Sequence, residues 1–417
     1  MTIPFDAQAG GEAVKVHIPA DAAAEFQRRH DAVIRAIRDA GRAQIVLTST
    51  EAIFYLTGAT VEPLERPFFL VVDATTGARV LLVPDLERTH VAKAWGTGAQ
   101  EIRSYREFPA PDGDGWLDAL EPLLAAGFAY EPSCPAYIAD ALQARGGSRA
   151  DLLRSVRLAK SDYEVRQIAV AADYARRGVV KLLAGTYPGS TVIEGYTTSN
   201  TITRAIVGEQ DRFDPLATKV TVAAWPAPIS AEPHSVPPLD MTLDAGPHVV
   251  MALTRVNGYA AECERTFFTH APTSTEADLF AAMLSARALA YSMIRPGVRG
   301  CEIDEAVHQH LRERGISDHQ RLHRTGHGFG LSAHEPPWLA LGSDDVLAAN
   351  LLISIEPGIY LEGVGGYRHS DTVLVTETGY RSLTPTPDDL RSLTRSKSTA
   401  IQRTKGRLIR RVAGVRN

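Results

Sequence analysis

The chain has 417 residues, of which 44% are hydrophobic and 22% charged, and its formal net charge is −5. This length and composition predict a globular protein with two domains, and the charge gives no reason to expect nucleic acid as a partner. The sequence has no run of about 18 apolar residues, so we expect no membrane span. The three cysteines lack Cys-x-x-Cys spacing, which argues against a disulfide framework or a thiolate zinc site.

The first 156 residues are predicted to form an α/β domain. The opening stretch MTIPFDAQAGGEAVK lacks a basic segment followed by an apolar core, so we expect no signal peptide and a cytoplasmic protein. Residues 20–41 have helical spacing of apolar side chains and end at a glycine, and residues 44–49 predict a buried strand. Residues 67–85 predict a hairpin around a Thr-Thr-Gly turn, and a short helix over 136–147 closes the region.

A second domain is predicted over residues 157–392. It opens with a capping box formed by Ser161 and Glu164, and the helix that follows ends before Pro188-Gly189. A later amphipathic helix ends before Pro296-Gly297. Each of these helices is followed by another helical segment and then by strands. The repeated order is an indication of internal duplication.

Residues 393–417 are predicted to form a basic, flexible tail. From Arg391 to the end, the sequence holds nine Lys and Arg residues, no acidic residue and few large apolar residues. Such a segment is typical of a solvated terminus, and binding to nucleic acid or another anionic surface has little support.

The stretch RVNGYAAECERTFF, residues 255–268, predicts a half-buried strand. Because side chains alternate along a strand, Glu262 and Glu264 point to the same side, about 7 Å apart along the chain, and Arg265 points the other way. Two acids on one face of an apolar strand are metal ligands, an acid/base group with its neighbour, or residues of a solvated outer face. The strand alone does not decide among these interpretations.

Further polar residues of the second domain favour a site. His234 lies in a proline-rich loop, and His327 and His334 lie among the glycines of GHGFGLSAHE. Glu356 interrupts the apolar run LLISIEPGIY, and Arg368 lies in GGYRHSD. Each residue has a structural alternative in a turn or loop. Together they favour chemistry, because glycines let a backbone or a ligand approach the imidazole, and a glutamate in an apolar run costs free energy unless it is paired or functional.

The order of these motifs resembles the creatinase/aminopeptidase-P/prolidase family. His234, GYAAECERTFF, GHGFGLSAHE, IEPGIY and GGYRHSDTVLV follow one another in that order, and the match covers nearly all of the chain. The resemblance implies a smaller α/β N-terminal domain, followed by an α+β "pita-bread" catalytic domain with an internal pseudo-duplication. It also implies a hydrolase that acts on a C–N bond of a small molecule, and a homodimer.

The resemblance also bears on metal binding. Family peptidases hold two divalent metal ions with two Asp, one His and two Glu. Their histidine corresponds to His327, their first glutamate to Glu356 and their second aspartate to Glu262. Their first aspartate and last glutamate correspond to Met251 and Ser370, which do not replace carboxylates as ligands of hard cations. We therefore expect no dinuclear metal site and no cofactor.

The metal-free, creatinase-like members of the family match better, because they share the sequence Glu264-Arg265-Thr266 and a catalytic histidine at position 234. The main hypothesis is a hydrolase that cleaves an amide, amidine or guanidine C–N bond, with a histidine that moves the proton from water to the leaving nitrogen. The expected catalytic residues are His234, Glu264, His327 and Glu356. The expected substrate-binding residues are Glu262, His334, Arg66 and Arg368.

Two other functions stay open. The first is a metal-dependent Xaa-Pro dipeptidase or aminopeptidase-P-like peptidase, with one Mn, Zn or Co ion held by Glu262, His327 and Glu356. The second is a non-catalytic binding protein on the same fold. A chelator is expected to abolish the activity of the first, and the second is expected to bind a ligand without turnover.

Overall fold

The computed structural model describes residues 20–94 and 101–415, and the chain divides into two compact units, Met1–Leu152 and Leu153–Asn417. The division lies close to the boundary predicted at residue 156. The opening stretch, for which we expect no signal peptide, lies outside the described residues. Across the described ranges, no helix combines the length and the apolarity needed to cross a membrane.

The N-terminal unit is built on one mixed sheet. Its elements are α1 (Ala20–Asp39), β1 (Gln44–Leu47), α2 (Thr50–Thr57), β2 (Phe69–Asp73), β3 (Arg79–Pro84), α3 (Arg88–Val91), β4 (Glu101–Tyr105), α4 (Trp116–Leu120), β5 (Ala129–Tyr130), α5 (Ala136–Gln143) and β6 (Ser148–Arg149). The strand order is β4-β3-β2-β1-β5-β6, and β2 and β3 form the predicted hairpin. Phe69, Trp116 and Phe128 lie in its core. The predicted first helix, first strand and closing helix are also confirmed.

The second unit contains two pairs of helices, each followed by strands. Its first half comprises α6 (Arg154–Leu158), α7 (Asp162–Gly185), α8 (Val192–Glu209), β7 (Lys219–Trp225), β8 (His248–Val256) and β9 (Tyr259–Phe267). Its second half comprises α9 (Ser274–Met293), α10 (Gly300–Arg312), β10 (Gly326–Gly328), β11 (Glu335–Leu339), β12 (Leu352–Ile355), β13 (Gly358–Leu361), β14 (Gly365–Arg368), β15 (Ser370–Thr376) and β16 (Gly379–Ser382). A last helix, α11, spans Ala400–Val412. The predicted repeat of helix, helix and strands is present.

The first helix of each pair begins in the same way. Ser161 Oγ accepts a hydrogen bond from the Glu164 N–H (3.2 Å), and Glu164 Oε2 accepts one from the Ser161 N–H (3.1 Å). Thr273 and Glu276 form the same capping box before α9. Each box satisfies backbone donors that the first turn leaves unpaired, so the local sequence fixes where both helices begin.

The large sheet of the second unit has the strand order β11-β10-β12-β15-β9-β8-β7, and β16 also pairs with β15. The predicted single strand over 255–268 is wrong at its start, because Asn257 and Gly258 have positive φ angles (46° and 100°) and turn the chain from β8 into β9. All nine residues of β9 are buried between β8 and β15. A solvated outer face for Glu262 and Glu264 is therefore excluded.

The predicted flexible tail contains a helix, α11. Its N-cap residue Thr399 accepts a hydrogen bond from the Gln402 N–H (3.1 Å), and Arg410 forms an ion pair with the buried side chain of Glu194 on α8. Basic residues without nearby acids in the sequence predict a solvated segment, but Arg410 pairs with an acid that lies 216 positions away in the sequence. Residues 416–417 of the predicted tail lie outside the described part of the chain.

Candidate active site

Three strands of the large sheet bring three of the expected site residues together. Glu262 lies on β9, His327 on β10, and Glu356 directly after β12. His327 Nε2 lies 3.2 Å from Glu356 Oε1 and 3.8 Å from Glu262 Oε1. His327 is fully buried, and the two carboxylates are almost so. One imidazole between two carboxylates, shielded from water, forms the centre of the site.

Glycines around His327 allow β10 to approach its neighbours closely. A Cβ atom on Gly326 would overlap the carbonyl oxygen of Ser354 on β12, and one on Gly328 would overlap the carbonyl oxygen of Pro336 on β11. The His327 N–H donates to Ser354 Oγ (2.9 Å). The glycines are thus required for the close packing of backbone around the imidazole, and not for a turn.

The local backbone also decides which nitrogen of His327 faces the acids. Its Nδ1 lies 3.1 Å from the Gly328 carbonyl oxygen, which can only accept a hydrogen bond, so the proton is on Nδ1. Nε2 is then directed at the carboxylates, and this buried atom has no hydrogen-bond partner among the described residues. A histidine fixed in this way is oriented as metal ligands usually are.

His334 completes a group that fits a divalent metal ion. It lies in the loop between β10 and β11, with its ring centroid 3.9 Å from that of His327. One ligand atom each from Glu262, His327 and His334 lies within 4.8 Å of the others. Two imidazoles and one carboxylate form a ligand set found in catalytic zinc sites, which leave a position open. We find that these residues fit one divalent ion.

Burial and the charges of neighbouring groups give these residues different protonation states. Burial, followed by the charge of Glu356, raises the pKa of Glu262 to about 8. Burial acts the same way on Glu356, but the charge of His327 outweighs it and holds the pKa of Glu356 below its usual range. Burial opposes a charge on His327, yet the two acids raise its pKa. Burial and the charge of His327 lower the pKa of His334 to about 4. Glu356 is therefore the ionised acid at neutral pH, and His334 is neutral.

Glu264 shares the face of Glu262 but has a different partner. Arg368 Nη2 donates to Glu264 Oε1 (2.9 Å), and Arg368 Nε donates to the other carboxylate oxygen. Arg368 Nη1 donates to the Tyr360 hydroxyl (3.1 Å), which also lies 2.6 Å from His323 Nε2. The Arg368 guanidinium, which was expected to bind substrate, is thus hydrogen-bonded to Glu264 and Tyr360. Sequence reasoning missed Tyr360 and His323, although both lie within or next to the motifs that carried the resemblance.

The opposite face of β9 carries a buried group of ion pairs. Arg265 Nη2 donates to Asp371 Oδ1 (2.9 Å), and Arg287 pairs with the other Asp371 oxygen. Asp371 and Arg265 are fully buried. The predicted alternation along β9 is confirmed, since Arg265 lies away from the acids.

Two expected site residues lie outside this cluster. His234 is exposed in the loop between β7 and β8, near enough to His334 for its charge to act on that ring. Arg66 belongs to the N-terminal unit, where it pairs with Glu65 and with Glu107 (2.6 Å). The expected substrate-binding function of Arg66 stays a prediction.

Sequence reasoning also missed a cation beside the site. Trp338 on β11 is the register partner of His327, so both side chains lie on the same face of the sheet. The guanidinium of Arg324 lies over the Trp338 ring, with its carbon 4.7 Å from the ring centroid. Its Nε has no hydrogen-bond partner in the described part of the chain. The sequence could have indicated Arg324 as a site residue, because it lies only three residues before His327.

Comparisons with known proteins identify the family of this chain. The model of Metallopeptidase family M24 matches residues 166–377, and that of the Creatinase/Prolidase N-terminal domain matches residues 29–168. The chain is 33% identical over 377 residues to the probable dipeptidase PepE of Mycobacterium tuberculosis, with 88% of this chain and 96% of the relative covered. It is 26% identical over 352 residues to an Xaa-Pro dipeptidase of Pyrococcus horikoshii, with coverages of 83% and 93%. The crystal structure of dipeptidase PepE from Mycobacterium ulcerans matches with a TM-score of 0.75 and 30% identity, over 88% of this chain and 98% of that one.

The expectation of a protein without a metal is wrong. The matched family is one of metallopeptidases, and Glu262, His327 and His334 offer a ligand group in the structure. The sequence reasoning gave decisive weight to the missing carboxylates at Met251 and Ser370. It expected His334 to bind substrate in the same site and did not foresee it as a metal ligand, because the positions of the ligand atoms depend on tertiary structure.

The remaining sequence-based expectations at the level of fold and class are confirmed. The chain has the α/β N-terminal domain and the pita-bread catalytic domain of the family that it resembles. Its class is that of hydrolases acting on C–N bonds. We conclude that this chain belongs to metallopeptidase family M24.

Proposed function

We propose that the protein is a metal-dependent dipeptidase that uses one divalent ion held by Glu262, His327 and His334. The observation that carries the proposal is the buried Nε2 of His327, which faces two carboxylates and has no hydrogen-bond partner among the described residues. The names of its relatives, probable dipeptidase PepE and Xaa-Pro dipeptidase, support a dipeptide as the substrate. The resemblance further supports a homodimer in the cytoplasm as part of the proposal.

The residues of the site divide the chemistry among them. A divalent ion, when bound, would polarise the scissile carbonyl and acidify water. Glu356 is ionised and lies 3.2 Å from His327 Nε2, so it is placed to accept a proton from water next to the ligand group. The exposed His234 lies at the open side, near His334, and delivers a proton to the leaving nitrogen in this proposal.

Arg324 fits the recognition of a free carboxylate. Its guanidinium is fixed over the Trp338 ring, on the face of the sheet that carries His327. A guanidinium with donors to spare is the usual partner of a carboxylate. A dipeptide has its terminal carboxylate one residue beyond the scissile bond, so Arg324 would favour dipeptides over longer or amidated substrates.

The test is hydrolysis of dipeptides by the full chain before and after chelation. We expect activity on dipeptides, including Xaa-Pro dipeptides, that a chelator abolishes and Mn²⁺, Zn²⁺ or Co²⁺ restores. We expect a dipeptide to be cleaved faster than its C-terminal amide. Glu356→Gln is expected to lower kcat by about 10²-fold or more, in the range typical of a lost general base. Glu362→Gln is the matched control, because this glutamate is exposed in the turn between β13 and β14.

Other outcomes would contradict the proposal. Full activity after chelation, on amidine or guanidine compounds in place of dipeptides, would support the creatinase-like hypothesis. Dipeptide binding without turnover in any metal form would support a non-catalytic binding protein.

A further inference from the structure

A buried ion pair lies directly beside the proposed metal ligands. Glu264 and Arg368 are joined by two hydrogen bonds, and both side chains are almost completely buried. We propose that this chain binds one divalent ion per site, and that the Glu264–Arg368 pair takes the place of a second one. The inference rests on the proposed metal-dependent function and adds to it the number of ions and the reason for that number.

Strand register places the pair where a second set of ligands would have to be. Glu264 on β9 lies directly opposite Met251 on β8 and opposite Ser370 on β15. Residues paired across neighbouring strands point to the same face, so a thioether and a hydroxyl flank the Glu264 carboxylate. These are the two positions at which the resemblance places carboxylates. Neither side chain is a good ligand for a hard divalent cation.

The polar groups around the Glu264 carboxylate already have hydrogen-bond partners. Arg368 engages both oxygens of Glu264, and its remaining terminal nitrogen donates to the Tyr360 hydroxyl. Ser370 Oγ donates to Glu262 Oε1 (2.6 Å). A second ion would have to break the two-point contact between Arg368 and Glu264, which is among the strongest hydrogen-bonding arrangements in proteins.

The charges of the buried residues agree with one ion. With an ion bound, its ligand Glu262 is deprotonated, so that Glu262, Glu264 and Glu356 carry three negative charges and Arg368 carries one positive charge, which leaves two negative charges. One divalent ion cancels these two charges. A second divalent ion would leave two uncompensated positive charges in a buried site, which is strongly unfavourable.

The test is the number of Mn²⁺ ions bound by the full-length chain. The protein is stripped with a chelator and dialysed, then titrated with Mn²⁺ by calorimetry, and the bound metal is counted by mass spectrometry and examined by electron paramagnetic resonance. We expect one ion per chain and the spectrum of an isolated Mn²⁺. Two ions per chain with a spin-coupled spectrum would overturn this inference and leave the metal-dependent function standing. No bound ion would overturn both.

Two variants test the ion pair itself. Arg368→Met leaves Glu264 without its cation, so we expect the Mn²⁺ count to rise above one per chain. Glu264→Gln combined with Arg368→Met removes both charges, so we expect the count to stay at one; this variant also keeps the test valid if the single variant does not fold. A count of one in a folded Arg368→Met protein, or of two in the double variant, would contradict the charge-replacing function of the pair.

Discussion

At the residue scale, Glu262 and Glu264 share one face of β9 and yet enter different interactions. Glu262 faces His327, and Glu264 is bound by Arg368. Strand alternation is a local property, so the sequence predicts the shared face. His327 lies 65 positions after Glu262, and Arg368 lies 104 positions after Glu264, so only tertiary structure brings these partners to the two acids.

His248, which begins β8, gives a prediction about stability against pH. The Ala227 N–H donates to its Nδ1 (2.9 Å), which requires that nitrogen to be unprotonated. Burial lowers the pKa of His248 from 6.5 to about 4. Between these two values the unfolded chain binds a proton that the folded chain does not, so stability is present above pH 6.5 and lost as the pH falls. We expect His248 to account for a loss of about 2 kcal/mol between pH 7 and pH 5.

Chemical denaturation at both pH values measures this loss. Asn at position 248 keeps an acceptor for the Ala227 N–H but does not titrate, so His248→Asn should lose less stability on acidification than the wild type. His319→Asn, at an exposed position, is the control and should follow the wild type. An equal loss in wild type and His248→Asn would contradict the prediction.

At the scale of elements, the short strand β10 depends on glycine. Its three residues, Gly-His-Gly, hold an imidazole between two closely packed backbones. The sequence predicted close approach around His327, but it did not predict which strands approach. In the same way, it predicted the helix start at Ser161, which is set by capping residues three positions apart, while α11 was not predicted, because its anchoring acid lies on α8.

Gly326→Ala should destabilise the protein. The added Cβ would overlap the backbone oxygen of Ser354, and backbone cannot move away as a flexible side chain can. Overpacking of this kind costs about 1–3 kcal/mol. The measurement is the free energy of unfolding from denaturant titration.

Gly208→Ala is the matched control for this prediction. Gly208 is exposed near the end of α8, and a Cβ added there would meet nothing within 4 Å, so alanine should stabilise the helix by about 0.5–1 kcal/mol. The prediction is wrong if both variants change stability in the same direction.

At the scale of the whole molecule, the clustered site residues all belong to one of the two compact units. Glu262, His327, His334 and Glu356 lie in the second unit, Leu153–Asn417, and the N-terminal unit has its own apolar core around Phe69 and Phe128. Each unit therefore has the contacts to be a cooperative unit of its own.

Metal binding should consequently protect one unit only. At a free Mn²⁺ concentration of about 100 times Kd, the linked stabilisation is about 2.7 kcal/mol. Hydrogen exchange followed by mass spectrometry should show slower exchange in peptides that contain β9, β10 and β12, and unchanged exchange in peptides that contain β1–β3. Equal slowing in both sets would mean that the chain opens as one unit, and no slowing would contradict ion binding at this site.

The sequence by itself determined the class of fold, the two-domain order, the capped start of α7 at Ser161 and the family, because these depend on local periodicity, capping residues and motifs in a fixed order. It also identified Glu262, His327 and Glu356 as members of one site. Only the tertiary structure decided that His334 belongs to a group that fits a metal ion, that Glu264 is bound by Arg368, and that Arg324 lies beside the site over Trp338. The reason is physical: each of these contacts joins residues from different strands or loops, and the energy of a buried charge depends on which partner the fold brings within reach.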